Sequence, residues 1–387
     1  MPQPKIKTDK VNKLIEAIGV KFFLGFAKKL KSEPLIKLKE IPSDRVLEVV
    51  TQNITLNVVI IAFLIGALST TPSVLFEIYY QEKFSLWEYY LWFSVITLFF
   101  LIIEVGILYW LGMRGAYTLA HLTGYDEEER GLPPEYDVKK MMVRSALEIE
   151  DPAIEYLGID PQKYVSGRWL MIRTLLYKAK IILTTLLAKL ILRKITMRYG
   201  VRMGLAWVAI PVTAIWDAVV MYRVIEDAKL RLFGYHLSKY IADEIITDRL
   251  LEHYRSDIQE GAIRAISTIM VIAKNYHPNN VLLLIRLNES FAINEEKSYD
   301  DLEYYLRYLM ECSEEERHFL RGLSAIAAVL DGKMTWEEQR ALRRIFGEKE
   351  AYYMHFTKQL KGALEDAALH AAAHLCESMM LHKEINY

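Results

Sequence analysis

Residues 54–112 hold two long apolar segments joined by a short polar turn. The first, TLNVVIIAFLIGALSTTPSVLF at Thr55–Phe76, carries no charged residue, and the second, LWEYYLWFSVITLFFLIIEVGILYWLG at Leu86–Gly112, carries only Glu88 and Glu104. A hydrocarbon core about 30 Å thick needs roughly 20 helical residues, so each segment is long enough to cross a membrane. The two segments therefore predict a transmembrane helical hairpin.

Aromatic and basic residues flank the two segments as they flank membrane spans. Both ends of the second segment carry rings that suit the headgroup region, namely Trp87, Tyr89, Tyr90, Trp92, Tyr109 and Trp110. Residues 1–53 contain eleven lysines and arginines, whereas the turn at residues 77–85 contains only Lys83. Since basic residues mark the cytoplasmic side, we expect both termini in the cytoplasm and the turn outside.

The composition excludes two classes of protein. The chain has 387 residues and a formal net charge of −1, with basic residues concentrated near the apolar segments and acidic residues in the final third. This balance is not that of a nucleic-acid-binding protein. The chain has two cysteines, Cys312 and Cys376, so a disulfide framework is not expected and both thiols are predicted to be free.

Two basic regions, one on each side of the hairpin, are predicted to contact anionic lipid. Apolar residues before the hairpin recur at helical spacing, at Val11, Leu14, Ile15, Ile18, Phe22, Phe26 and Leu30. Such a helix either lies in the membrane interface or packs on a soluble domain. Residues 163–202, after the hairpin, contain ten basic residues and no acidic one. The predicted lipid-facing residues of the two regions are Lys28, Lys29, Lys31, Arg193, Lys194, Arg198 and Arg202.

A third apolar stretch, residues 203–222, is about as long as a membrane span but contains Pro211 and Asp217. If it crossed the membrane alone, the C-terminal region would lie outside. If it paired with residues 181–192, the basic cluster at residues 193–202 would form an external loop, against the positive-inside rule. We therefore expect a helix that is buried or dips into the membrane.

Glu104 is the charged residue inside the predicted spans that needs an explanation. A carboxylate facing lipid is costly, so Glu104 is expected to be protonated, paired, or turned towards the other helix. One interpretation is a proton or cation site, which two spans form only in an oligomer. The other is a structural carboxylate satisfied by a neighbour such as Asn57 or Arg114.

A resemblance to a known family emerges after the hairpin. The residues that carry it are Gly124-Tyr125-Asp126 with Glu128, Glu129 and Arg130, then Ile210-Pro211, Trp216-Asp217-Ala218, Arg223 and Ala228. This pattern resembles the EcsC family of bacterial membrane-associated proteins over roughly residues 115–235. It departs from the family by having Asp217 where an Asn is usual, by lacking the glycines, and by adding the hairpin. The resemblance implies a membrane-bound helical protein of poorly defined biochemistry, named for an accessory component beside an ABC transporter. It does not imply an active site.

From His236 onward, apolar periodicity predicts a bundle of helices. The stretch AAVLDGKMTWEE at Ala327–Glu338 predicts a helix that ends near Asp331, a left-handed turn at Gly332, and a following helix capped by Thr335. It resembles the TerB-like helical domain. Two interpretations stay open: Asp331, Glu337 and Glu338 hold a divalent cation such as Ca²⁺, or they only build the capped turn.

A second candidate metal site lies near the C-terminus. Asp366, His370, His374 and Glu377 are spaced by four, four and three residues, which would align them on one face of a continuous helix over residues 351–380. Two imidazoles at this spacing can share a Zn²⁺ or similar ion. The alternative is a histidine stripe that faces solvent or an ion-pair partner.

The sequence thus predicts an all-α protein with four regions. These are a basic amphipathic N-terminal region (1–53), a transmembrane hairpin (54–112), an EcsC-like membrane-surface helical domain (113–235) and a TerB-like cytoplasmic helical domain (236–387). Protease, phosphate-loop, nucleophile-elbow and dinucleotide motifs are absent from the sequence, so we do not expect an enzyme.

The leading functional hypothesis is a non-catalytic scaffold or accessory protein of the bacterial inner membrane. Its expected partners are anionic lipid and membrane or cytoplasmic proteins, with homo-oligomers allowed and nucleic acid excluded. One alternative is a metal-binding sensor of metal stress that acts through the TerB-like domain, with a divalent metal ion as the cofactor. The other is an oligomeric transport or channel component that uses Glu104.

Overall fold

The structure is a computed structural model that describes residues 5–7, 10–29, 41–123, 133–161, 207–252, 254–293, 297 and 299–381. The described chain is mostly helical, which confirms the predicted all-α class. A pair of three-residue strands, β1 (Lys5–Lys7) and β2 (Ala153–Glu155), was not predicted. The two strands pair antiparallel, with Ile6 opposite Ile154.

The helices follow one another with short connections in the second half of the chain. The α-helices are α1 (Lys10–Lys29), α2 (Asp44–Tyr80), α3 (Leu86–Thr123), α4 (Val138–Ala146), α5 (Ala209–Tyr240), α6 (Asp248–Leu251), α7 (Ile258–Ala273), α8 (Pro278–Phe291), α9 (Leu302–Glu311), α10 (Glu314–Val329), α11 (Trp336–Phe346), α12 (Glu350–Glu365) and α13 (Leu369–Met380). A π-helical turn at Ile241–Ile245 follows α5, and short 3₁₀ turns lie at Pro134–Tyr136 and Gly347–Lys349.

The chain divides into two compact units. The bundle unit comprises Met1–Thr51, Ala116–Tyr164 and Asp227–Tyr387, and the hairpin unit comprises Gln52–Gly115 and Val165–Glu226. The region 113–235, which the sequence predicts as one domain, is divided between the two units. The division follows from α5, because its residues up to Glu226 pack within the hairpin unit and the later ones within the bundle unit.

Helices α2 and α3 are the two described helices that are long and apolar enough to cross a membrane. In the most apolar parts of α2 and α3 only 33% and 17% of the residues are buried, whereas a core helix of a soluble protein is mostly buried. Small and polar residues form the face of α2 that is buried: Thr55, Val58, Ala62, Gly66, Ser69 and Ser73. Their spacing of three or four residues places them on one side of the helix, where small side chains let neighbouring helices approach closely.

Helix α10 lies at the centre of the bundle unit and packs against α7, α12 and α13. Phe319, Leu323 and Ile326 on α10 are fully buried. A capping box starts this helix, with the Ser313 hydroxyl accepting from the backbone N–H of Glu316 and the Glu316 carboxylate accepting from that of Ser313. Apolar burial by several surrounding helices, rather than helix propensity, therefore holds this unit together.

The turn around Asp331 has the predicted form. Helix α10 ends at Val329, two residues before the predicted end, and Gly332 has a left-handed φ of 69°. Thr335 and Glu338 form the predicted capping box at the start of α11. Gly332 is required for a second reason, because a Cβ atom at this position would collide with Leu230.

The prediction of one continuous helix at residues 351–380 is wrong. Helix α12 ends at Glu365, Ala367 adopts a left-handed φ of 60°, and α13 begins at Leu369. Alanine favours helix locally, but burial of Ala367 and Leu369 in the core of the bundle unit selects the break.

Candidate functional site

Glu104 is buried in the hairpin unit, with 1% of its surface exposed. Its Oε2 accepts a hydrogen bond of 2.6 Å from the hydroxyl of Ser69 on α2. The same hydroxyl lies 3.2 Å from the carbonyl oxygen of Gly66, one turn earlier. The sequence predicts Asn57 or Arg114 as the neighbour that satisfies Glu104. In the structure Ser69 supplies this hydrogen bond, and the Arg114 guanidinium lies over the Trp110 ring.

Asp217 is the second buried carboxyl group of the hairpin unit. It lies on α5 with 2% of its surface exposed, and its side chain covers Gly66. A Cβ atom built on Gly66 would lie 2.5 Å from Oδ2 of Asp217 and 2.9 Å from the Cα atom of Ala214. Glu104 and Asp217 therefore approach the same turn of α2, from α3 and from α5.

The contacts along α2 define the direction of α5. Asp217 lies against Gly66, and Ile225 lies against Gly115, whose own neighbour on α2 is Val58. Eight residues separate the two contact points on each helix, or about 12 Å at 1.5 Å per residue, and the order is reversed. The first part of α5 thus runs antiparallel to α2, beside its apolar segment. Asp217 lies level with the middle of that segment.

The polar face continues from this site towards the turn of the hairpin. The hydroxyl of Thr97 donates a 3.2 Å hydrogen bond to Ser73, and Thr70 is buried beside them. Hydroxyl groups and two carboxyl groups in apolar surroundings can hold a proton or a small cation. The four residues that meet at the buried carboxyl groups, Gly66, Ser69, Glu104 and Asp217, are called the acidic cluster below.

Substituting Gly66 tests the packing at the acidic cluster. We expect Gly66→Leu to lower the free energy of unfolding by about 1–3 kcal/mol, because the added atoms meet Asp217 and the backbone of Ala214. Gly106→Leu is the matched control, since a Cβ atom at Gly106 on α3 has nothing within 4 Å. Thermal unfolding of the detergent-solubilised variants measures the difference. Equal midpoints for the two variants would contradict the close approach of α5 to α2.

The candidate metal ligands at the Asp331 turn are engaged in different contacts. Oδ1 of Asp331 accepts from the backbone N–H of Lys333 at 3.0 Å, and Oδ2 accepts from the amide of Asn275 at 3.2 Å. Glu338 caps α11 through Oε2, while its buried Oε1 has no hydrogen-bond partner. Glu337 pairs with Lys274 at 2.5 Å on the surface. Two buried carboxyl groups fall short of the six or more oxygen ligands of a Ca²⁺ site.

The predicted histidine stripe is not one surface. Asp366 follows the end of α12 and is separated from the histidines by the break at Ala367, so the face predicted for these residues does not form as a whole. His370 binds Asp44, the first residue of α2, and His374 is exposed. Glu377 accepts a hydrogen bond of 2.5 Å from Tyr240. Within the described ranges, no group of three or more His, Cys, Asp or Glu side chains could hold a metal ion.

Asp44 caps the start of α13, a contact that joins residues 326 positions apart. Its Oδ1 accepts from the backbone N–H and from Nδ1 of His370, both at 2.9 Å, and its Oδ2 accepts from the backbone N–H of Ala371 at 2.9 Å. A carboxylate at a helix N-terminus satisfies N–H groups that have no partner within the helix and interacts favourably with the helix dipole. Asp44 thus fixes the last helix of the bundle unit.

Removing the Asp44 carboxylate should loosen α13. We expect Asp44→Ala to lower the free energy of unfolding by about 1–2 kcal/mol, the usual cost of losing an N-terminal cap. Hydrogen exchange at the amides of His370 and Ala371 should accelerate as well. Arg45→Ala is the control, because Arg45 is its exposed neighbour. Unchanged exchange at both amides would exclude the cap.

The bundle unit contains a buried ionic network that the sequence patterns do not predict. Arg231 on α5 donates to both carboxylate oxygens of Asp151, at 2.7 and 2.9 Å, and to Asp227 one turn earlier, at 2.7 Å. Burial alone would lower the pKa of Arg231, but the two aspartates raise it above its usual value. Burial, together with the nearby charge of Arg231, also lowers the pKa of His277 to about 4. No sequence signal connects Asp151 with Arg231, because 80 residues separate them.

Several residues that the sequence predicts to be functional lie outside the residues that the structure describes. Helix α1 includes Lys28 and Lys29, but their side chains are not described, and Lys31, Arg193, Lys194, Arg198 and Arg202 lie outside the described residues. Residues 124–130, which carry the first part of the EcsC resemblance, also lie outside. The two cysteines are free, as predicted, and both are buried.

No family model matches this chain, and neither a curated protein nor a solved structure matches it. The resemblances to the EcsC family and to the TerB-like domain therefore stay predictions.

Proposed function

We propose that the protein is an integral membrane protein of the bacterial inner membrane in which α2 and α3 anchor a non-catalytic helical scaffold. The observation that carries the proposal is the apolar outer surface of the hairpin unit. Large apolar side chains are exposed on α2, α3 and the first part of α5, among them Leu64, Leu68, Leu98, Ile102, Ile215 and Val219. A surface of this kind is unfavourable in water and matches the acyl chains of a bilayer.

The inside of the hairpin unit supports the same proposal. Several of its polar side chains turn inward, with Ser69 bonded to Glu104 and Thr97 bonded to Ser73. Thr71 donates to the carbonyl oxygen of Ala67 next to Pro72. In a bilayer, polar groups must find partners within the protein. Apolar outside and polar inside is the arrangement that lipid favours.

The proposed orientation places both termini in the cytoplasm, which follows from the distribution of lysine and arginine. The bundle unit then lies in the cytoplasm, where its helices provide surfaces for protein partners. A scaffold needs such a folded platform and a membrane anchor, and it needs no reactive group. Free buried cysteines agree with a reducing compartment.

Extraction and labelling test the anchor and its orientation. We expect the protein to stay in the membrane pellet at alkaline pH. A cysteine placed in the turn by Lys83→Cys should react with a membrane-impermeant maleimide in intact spheroplasts, and one placed by Glu337→Cys only after lysis. Cys312 and Cys376 are buried and should react slowly. Release of the protein by alkaline extraction would overturn the proposal, and reversed labelling would overturn the orientation.

The acidic cluster favours a second candidate function, a component of an oligomeric proton or cation transporter. The supporting observation is that Glu104 and Asp217, on different helices, are both buried against one turn of α2. Ionisable residues within membrane segments commonly lie on ion pathways. Flux is the property that distinguishes this candidate from a scaffold.

An ion-flux assay in proteoliposomes decides between the two candidates. If Glu104 carries protons or cations, Glu104→Gln should abolish the flux, while a glutamine can still accept the hydrogen bond from Ser69 and preserve the fold. Glu88→Gln is the control, because Glu88 is exposed at the start of α3 and bonded to Ser85. Absence of flux in the unmodified protein would exclude the transport function and leave the scaffold.

A further inference from the structure

We propose that α1 is a second membrane contact of this protein, a surface helix that binds the anionic headgroup region of a bilayer. The inference rests on the proposed membrane location, but it concerns a different unit of the chain. The binding face, called the α1 face below, consists of Leu14, Ile15, Ile18 and Phe22, all of which are exposed.

The opposite side of α1 is held by the bundle unit. Glu16 accepts a hydrogen bond of 2.8 Å from the buried guanidinium of Arg144 on α4. Gly19 packs against α4, and the ring of Phe23 packs edge-on against Tyr117, with ring centroids 5.1 Å apart. These contacts determine which side of the helix is buried and leave the α1 face free of them.

This orientation differs from that of an ordinary surface helix. Helices on soluble domains bury their apolar stripe and expose their charged residues. In α1 a glutamate, a glycine and Phe23 face the bundle unit, whereas three aliphatic side chains and Phe22 face outward. The alternative of an amphipathic helix whose apolar stripe packs on a soluble domain does not describe these four residues.

The positive charge of α1 favours anionic lipid as the binding partner of the α1 face. Lys21 is exposed at the edge of the α1 face, Lys13 is also exposed, and α1 further contains Lys10, Lys28 and Lys29. Glu16, the acidic residue of α1, is paired with Arg144. A helix with an apolar stripe and exposed lysines is the type that lies in an anionic interface, where its lysines can reach the headgroups.

The chain also keeps α1 within reach of the proposed bilayer. Residues 30–43 separate the end of α1 from the start of α2, and this length of chain spans at most about 50 Å. This length permits the α1 face to contact the membrane that α2 is proposed to enter. A second contact of this kind needs little intrinsic affinity, because the anchor supplies a high effective concentration.

Quenching by lipid-borne probes tests the proposal on the full-length chain. An environment-sensitive fluorophore is attached to Ile18→Cys in nanodiscs that contain a quencher in the lipid, with either neutral phosphatidylcholine or added anionic phosphatidylglycerol. The same fluorophore on Met310→Cys is the control, since Met310 is exposed in the bundle unit. We expect strong quenching at position 18 in anionic nanodiscs and little at position 310.

Replacing the exposed lysines of α1 tests whether their charge contributes to lipid binding. Lys13→Gln combined with Lys21→Gln should weaken docking of α1 in anionic nanodiscs by about thirtyfold, because each of the two basic residues near the surface contributes about 1 kcal/mol. Both lysines are exposed, so their replacement should not disturb the fold. Phe22→Ser should reduce quenching at position 18 without changing the unfolding midpoint.

Three outcomes would overturn the proposal. Equal quenching at positions 18 and 310 would exclude docking, equal quenching in neutral and anionic lipid would exclude the assigned headgroup, and crosslinking between two copies through position 18 would assign the α1 face to a dimer. These outcomes count only for protein that resists alkaline extraction. Failure of the anchor is thereby distinguished from failure of α1 docking.

Discussion

Arg231→Met is expected to lower the free energy of unfolding by about 3–5 kcal/mol, the usual cost of removing one partner from a buried ion pair. The Arg231 side chain is 8% exposed and that of Asp151 is 9% exposed, so the aspartate would lose its counter-charge without gaining water. Asp227, one turn away on α5, would add repulsion. Methionine fills much of the volume of the arginine, so the loss reports charge rather than packing.

A surface pair provides the control for Arg231. Arg343 lies 3.2 Å from Glu350, but the two side chains are 62% and 43% exposed. Arg343→Met should therefore change the free energy of unfolding by less than about 1 kcal/mol, as is usual for exposed pairs. Denaturant unfolding of the solubilised protein measures both variants. Similar values for Arg231→Met and Arg343→Met would mean that the network with Asp151 does not stabilise the fold.

The second large effect concerns Asp331 and pH. Burial, together with repulsion from the nearby carboxyl group of Glu338, raises the pKa of Asp331 to about 7. Between pH 4 and 7 the folded protein therefore keeps a proton that the unfolded chain releases, and stability contributed by this group is lost as the pH rises through that range. The penalty at pH 8 is up to about 4 kcal/mol, since one pKa unit corresponds to 1.36 kcal/mol.

Asp331→Asn should remove most of this penalty. Asparagine carries no charge, can still accept from the backbone N–H of Lys333, and can bond Asn275 if that amide turns over. We expect the variant to be more stable than the parent at pH 8 and similar at pH 4, as measured by unfolding across the pH range. Glu337→Gln is the control, because Glu337 lies on the surface beside Lys274. A parental pH dependence in Asp331→Asn would place the titrating group elsewhere.

Local patterns in the sequence were sufficient for the features that depend on neighbouring residues. The turn at Gly332 and the cap formed by Thr335 and Glu338 involve groups within a few positions, and the structure confirms both. The length and apolarity of α2 and α3 are likewise properties of single segments. The break between α12 and α13 was missed, because residues 367–373 are rich in alanine and the reason for the break is burial in the bundle unit.

The contacts of the candidate sites depend on distant residues and were not predictable in detail. Glu104 was singled out from its position in an apolar segment, but its bond to Ser69 joins two helices. Asp217 was noted as an interruption of residues 203–222, and its place on Gly66 explains why a carboxyl group can sit there. Neither the cap that Asp44 forms on α13 nor the ionic network around Arg231 has a signature in the sequence. A hydrogen bond between residues far apart in the chain leaves no periodic pattern.

The amino-acid sequence alone establishes an all-helical chain with two apolar helices of membrane-spanning length, since helix periodicity, helix capping and hydrophobic length are local quantities. Only the tertiary structure decides which face of each helix is covered. It buries Glu16 and Gly19 of α1 while leaving Leu14, Ile18 and Phe22 exposed, and it brings Glu104 and Asp217 to one turn of α2. Such pairings result from packing among helices far apart in the chain, where shape and charge must match together.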